Sequence, residues 1–137
     1  MSESLEFAKT YRYNTLKTGI SLPVILQSGE TFIEINAKLD TGSSHCIFER
    51  RHGELLNLDI ESGEPIIIGT ATGKFNAFEH RITLTTFGLS WEAAVCFIAE
   101  DEIKRNILGR TGWLDRVKLG LIDYEGRLLL SHYLEDY

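Results

Sequence analysis

The sequence predicts an all-β fold, a small barrel with one or two short helices. Three observations predict it. Apolar, often β-branched segments recur along the chain and far outnumber segments with helical spacing. Turn-forming residues interrupt them at roughly 8- to 15-residue intervals. The chain has 137 residues, 43% hydrophobic and 25% charged, which suits one soluble domain with its own core.

The elements follow in order. Residues 1–19 are polar and mixed, with Tyr11 and Tyr13 alternating around Arg12; they form an edge strand or an arm packed on another subunit. Strand signal begins at Ile20, and Pro23 suits only an edge or a strand start. Ser28-Gly29 supplies a hairpin turn, after which Phe32, Ile33, Ile35, Ala37 and Leu39 run to the end of a half-buried strand. His45–Phe48 reads as a short strand, Glu49–Leu58 as one or two helical turns, and Asp59–Pro65 as a loop. Pro65–Ile68 and Phe75–Thr86 are two arms of a long hairpin whose tip, Gly69-Thr70-Ala71-Thr72-Gly73, is small and bendable. Trp91–Ile98 is the next strand, after a turn at Phe87-Gly88. Asn106–Gly109 reads as a buried strand and Thr111–Arg116 as the second helix. Val117–Asp123 and Arg127–Ser131 close the chain as a hairpin, leaving residues 132–137 as a tail that frays at Leu134–Tyr137.

Composition narrows the function. A formal net charge of −6 without a basic cluster argues against nucleic acid as a partner. No apolar run reaches membrane-spanning length, and the N-terminus lacks the charged and apolar regions of a signal peptide. Cys46 and Cys96 lie in apolar strand-like segments, which favours two buried free thiols over a disulfide and an intracellular, cytoplasmic protein. The four histidines show no metal-ligand spacing. Gly69-x-x-x-Gly73-Lys74 is too short for a phosphate loop and runs into Phe75 rather than a hydroxyl residue and a helix.

One stretch carries chemistry. In Leu39-Asp40-Thr41-Gly42-Ser43-Ser44, an apolar strand delivers a carboxylate at its end, and the following residues turn sharply enough to hold it at the mouth of a cleft. Alone, Asp-Thr-Gly also makes an ordinary turn. The second motif, Asn106-Ile107-Leu108-Gly109-Arg110 followed by Thr111-Gly112-Trp113, makes the pair distinctive.

Together the two motifs resemble the retropepsin-like aspartic proteases, single-domain relatives of the retroviral proteases, over residues 20–131. The resemblance implies a small closed barrel of the acid-protease type. It implies that Asp40 is the catalytic aspartate, and that Thr41, Gly42 and Ser43 form the active-site turn. Gly69, Thr70, Ala71, Thr72 and Gly73 would be a flap closing over substrate, and Ile107, Leu108, Gly109 and Arg110 the strand and turn beneath the site. The reaction would be endopeptidase hydrolysis of a peptide or protein substrate, with no metal, no cofactor and no covalent intermediate. Such chemistry needs two carboxylates, and a chain of 137 residues cannot hold two lobes, so the resemblance implies a homodimer that pairs two copies of Asp40.

This chain departs from the retroviral pattern at two places. Ser43 and Ser44 stand where an alanine and an aspartate are usual, so Arg110 lacks its expected carboxylate partner. The flap tip also lacks a bulky apolar residue. The alternative function, from a different class, is a non-catalytic dimerisation or peptide-binding module on the same barrel. The intact Asp-Thr-Gly favours the enzyme, since a pure scaffold has no reason to keep a partly buried carboxylate.

Overall fold

The computed structural model describes residues 1–134, and the frayed tail expected at Leu134–Tyr137 falls almost wholly outside them. Ten strands dominate: β1 (Lys9–Arg12), β2 (Ser21–Ser28), β3 (Thr31–Leu39), β4 (Ile47–Phe48), β5 (Glu64–Thr70), β6 (Gly73–Thr86), β7 (Leu89–Ile98), β8 (Ile107–Leu108), β9 (Val117–Ile122) and β10 (Arg127–His132). One α-helix, α1, spans Arg50–Leu55.

The seven-stranded sheet runs β2-β3-β8-β4-β7-β6-β5, and β2 also pairs with β6. That extra pairing (Ile25 opposite Thr85, Leu26 opposite Leu84) closes the sheet into a barrel. Closure leaves β5 outside, attached only to β6, as the free arm of a long hairpin. Strand alternation explains the burial. On β2, Leu22, Val24 and Leu26 are buried between partly exposed neighbours. On β3 the inward set is Ile33, Ile35, Ala37 and Leu39, whereas Phe32 falls on the outer face and is 65% exposed. The main core joins these to Phe48, Leu84, Phe97, Leu108 and Trp113. A smaller cluster (Ile47, Ile68, Phe75, Ala77, Cys96, Ile98, Ile107) fills the space between the barrel and the base of the β5–β6 hairpin.

The N-terminal segment forms an edge strand. β1 pairs with β10, and β10 with β9, in a separate three-stranded sheet. Ala8 N–H donates to the buried Ser131 Oγ at 2.7 Å, and Tyr13 O–H to Asp123 Oδ1 at 2.7 Å. The β9–β10 hairpin therefore lies within the subunit, turning at a 3₁₀ segment, Asp123–Glu125, and a left-handed Gly126.

Two expectations need correcting. Asp59–Pro65 is not all loop: Ile60–Ser62 is a 3₁₀ turn and Pro65 lies in β5, where an edge strand tolerates its missing N–H. The helix expected over Thr111–Arg116 is reduced to a 3₁₀ turn at Leu114–Arg116. Gly112 has φ +100°, outside any helix, and its N–H is taken by Asp115 Oδ1 at 3.0 Å. Trp113 is drawn into the core, where its Nε1–H donates to Thr86 Oγ1 at 3.0 Å. Burying that indole outweighs the small preference for one more helical turn.

Candidate active site

Asp40 leaves the end of β3 into a turn that holds its carboxylate locally. Gly42 N–H donates to Asp40 Oδ1 at 3.0 Å, and Ser43 N–H to Asp40 O at 3.1 Å. These contacts reach only two or three residues along the chain, which is why the tripeptide could be read as a carboxylate-bearing turn.

The turn is then clamped from below. β8 inserts between β3 and β4, parallel to the first and antiparallel to the second. Asp40 N–H donates to Leu108 O at 3.0 Å, Arg110 N–H to Ser43 O at 2.8 Å, and Thr111 N–H to Ser44 O at 3.1 Å. Ser43 Oγ adds a bond to His45 O at 2.8 Å. Gly109 lies so close beneath that a Cβ there would overlap His45 O and sit 2.7 Å from Ser43 O. Only glycine lets the two backbones approach this way.

A buried polar network anchors β8 in turn. Glu49 N–H donates to Asn106 Oδ1 at 3.2 Å, Asn106 Nδ2 donates to Glu49 Oε2 at 2.5 Å, and His52 Nδ1 lies 3.0 Å from Asn106 Oδ1. Because the backbone N–H of Glu49 can only donate, that amide atom is the oxygen, so His52 carries its proton on Nδ1. Burial holds the His52 imidazole below the usual histidine range, opposed by the nearby Glu49. Burial likewise pushes the Cys46 and Cys96 thiols up to about 12, so both free cysteines are uncharged core residues.

Above the turn stands the β5–β6 hairpin. Its strands pair as far as Thr70 opposite Gly73, leaving Ala71-Thr72 as a two-residue tip. Thr70 Oγ1 donates to Gly73 O at 2.9 Å across it. Between tip and turn is a hollow of about 230 Å³ lined by Asp40, Gly42, Ser43, Gly69, Thr70, Ala71 and Ile107, together with Ile47, Ile68, Phe75 and Arg105. Seven of the residues singled out from sequence thus meet in one place. Thr72 and Gly73 line a neighbouring hollow of about 200 Å³. Leu108 and Gly109 are buried support, and Thr41 is exposed beside the hollow rather than lining it. Arg110 is exposed and, among the described residues, makes no ion pair; its backbone rather than its guanidinium holds the turn.

Sequence reasoning missed four lining residues. Ile47, Ile68 and Phe75 had been read only as strand residues, and nothing local marks which face of a strand will meet a carboxylate. Arg105 does carry a signal, a cation immediately before the Asn-Ile-Leu-Gly strand, where the chain enters the barrel wall. Chemically, the hollow offers a half-buried carboxylate on a braced turn, an apolar wall and an overhanging hairpin. Among the described residues no helix is long and apolar enough to cross a membrane.

No family model matches the chain, and no curated protein matches it in sequence. Solved structures do. The chain superimposes on EIAV protease, in its complex with the inhibitor HBY-793, with a TM-score of 0.56 and 23% identity, covering 73% of this chain and 88% of that one. It superimposes on a retropepsin-like aspartic protease from Rickettsia conorii with a TM-score of 0.59 and 18% identity, covering 82% of this chain and 88% of that one. At such identities the likeness is one of fold. The closed barrel with its inserted β8 and overhanging hairpin is accordingly a retropepsin-type fold, similar to that of the retroviral and rickettsial proteases.

Proposed function

We propose that this chain is an aspartic endopeptidase acting as a homodimer, with two Asp40 carboxylates meeting across a two-fold axis. The observation that carries the reading is the position of Asp40: a carboxylate on a backbone-clamped turn, lining a hollow of about 230 Å³ beneath an overhanging hairpin. The retropepsin-type fold supports it. One subunit brings a single such turn, and a second copy supplies the other carboxylate by symmetry.

In that arrangement one carboxylate is ionised and the other protonated, because like charges at contact distance do not both form in a partly enclosed site. The ionised member takes a proton from a water held between them, and the water oxygen attacks the scissile carbonyl. The protonated member donates to the developing oxyanion. Collapse of the tetrahedral intermediate passes a proton to the leaving amine and restores the shared-proton pair. Ile47, Ile68, Phe75 and Ile107 supply an apolar wall for a substrate side chain.

Asp40→Asn tests the reading. Asparagine keeps the oxygen that accepts the Gly42 N–H but cannot act as a base. Cleavage of a mixed peptide library should fall by at least about 10³-fold, the scale of a lost general base. Sedimentation should show the dimer forming as well as in wild type or better, and wild-type specific activity should fall on dilution more steeply than in proportion. Cleavage that survives in contaminant-free Asp40→Asn protein, or that comes from a strictly monomeric species, overturns it. Peptide binding without any cleavage, unchanged by Asp40→Asn, would instead mark a non-catalytic peptide-binding module.

A further inference from the structure

The hollow above Asp40 and the second hollow adjoin at the hairpin tip, and Thr70, Phe75 and Arg105 line both. Lys74 lies on the second one, beside the Thr70 and Thr72 hydroxyls. Lys74 and Arg105 are both exposed, and among the described residues neither makes an ion pair or a side-chain hydrogen bond. Among the described residues Asp40 is the only carboxylate lining either hollow; the acidic run Glu100–Glu102, close by in sequence, lines neither. What sets Lys74 and Arg105 apart from the other exposed cations is their place, since both line the hollow beside the hairpin tip.

Their mounting differs. Arg105 precedes Asn106, whose side chain is locked by Glu49 and His52 and whose carbonyl accepts Lys38 N–H at 2.8 Å, so the arginine issues from a fixed point on the barrel. Lys74 is carried on the hairpin that covers the cleft. A guanidinium takes a carboxylate through two parallel hydrogen bonds, and an ammonium adds a point charge from the other side. At physiological salt, charges more than about 8 Å away are largely screened, so the two cations and Asp40, rather than the net −6, set the field felt by a side chain lodged there.

We propose that this end of the cleft is an anion subsite, in which Arg105, with Lys74 from the flap, selects substrates bearing an aspartate or glutamate side chain beside the bond to be cut. The proposal rests on the endopeptidase reading of Asp40 and adds the substrate class. A glutamine of the same shape offers no charge to the guanidinium, and a lysine is repelled.

The test uses one peptide scaffold carrying Glu, Gln or Lys at each position flanking the cleaved bond. At one position the Glu peptide should exceed its Gln counterpart in kcat/KM by about tenfold, the lower range for a charge-assisted contact at a partly open site. The ratio should shrink as salt is raised. Arg105→Leu should bring it near one, Arg105→Lys should keep part of it, and Arg81→Leu, at a remote surface cation paired with Glu92, should leave it unchanged. A wild-type ratio near one, or a ratio indifferent to Arg105→Leu, overturns the subsite even where cleavage is present and lost in Asp40→Asn. Fluorescence anisotropy of the same peptides on Asp40→Asn protein separates the two claims. Glu-over-Gln binding that Arg105→Leu removes upholds the subsite even if wild type cleaves nothing, in which case only the endopeptidase reading falls. No preference in binding and no cleavage overturns both.

Discussion

The Asp40 turn and the tip of the β5–β6 hairpin face each other across a 230 Å³ hollow, yet they are held in opposite ways. The turn is pinned by backbone hydrogen bonds from Leu108, Arg110 and Thr111, over a glycine so tightly packed that no side chain fits. The tip hangs from β6 alone; Gly69, Ala71, Thr72, Gly73 and Lys74 are exposed, and no atom approaches the Cβ position of Gly69 or Gly73. In the proposed endopeptidase Asp40 is the reacting carboxylate and must be positioned to a fraction of an ångström, which its buried, redundant support provides. In the same proposal the hairpin is a cover that must let substrate in and out, which calls for few contacts and a low cost of opening. The same residue type serves both ends for different reasons: Gly109 for closeness, Gly73 for its φ of +148°.

That contrast can be broken first at Gly109. Alanine there would press its methyl into His45 O and Ser43 O, and the backbones must separate to admit it. A loss of about 3 kcal/mol or more, near 10 °C in Tm, is expected by thermal or urea denaturation. A stability within about 0.5 kcal/mol of wild type would show that the floor is not rigid.

At the tip, Gly73→Val meets no neighbour and is strained only by its backbone, so it should cost about 1 kcal/mol of stability. Peptide turnover should nevertheless fall by about tenfold, because the tip no longer bends freely. Equal turnover in the two proteins would remove the hairpin's role as a moving cover.

A smaller effect distinguishes the floor by pH. The proton affinity of His52 is lowered by burial in the folded state, so the unfolded chain binds the extra proton first. Stability is therefore full above the ordinary histidine range, near pH 6.5, and is lost as pH falls through the lower folded value. Asn106 bonds this imidazole, while Glu49, Arg51 and Lys104 act on it by charge, Glu49 partly offsetting the burial. Melting followed from pH 7 to pH 5 should show a decline in Tm that His52→Gln removes. An identical decline in His52→Gln would assign it to other groups.

The smallest change is expected at Gly69. It has an ordinary φ and open space at its Cβ, so Gly69→Ala should shift stability by less than about 0.5 kcal/mol. A larger loss would mean that the β5 arm is packed as closely as the floor.

What the sequence determined by itself is what local physics decides. Strand periodicity placed β3, β7 and the β9–β10 hairpin within a residue or two, because alternation is a property of neighbours. The Asp40 turn was legible because its bonds span two or three residues. Only the tertiary structure decided the rest. β8 was legible as a buried strand within Asn106–Gly109, but its place between β3 and β4, parallel to one and antiparallel to the other, depends on the gap those two strands leave. The expected helix at Thr111–Arg116 yielded to the burial of Trp113, whose partner Thr86 lies far back in the chain. Phe32 and Phe75 are both aromatic strand residues, yet one faces solvent and the other the hollow, according to the face each strand turns to the barrel. Arg105 comes to line the same hollow as Asp40 only after the chain has travelled around the barrel and back. Such placements depend on which surfaces close against each other, and no window of sequence contains both partners.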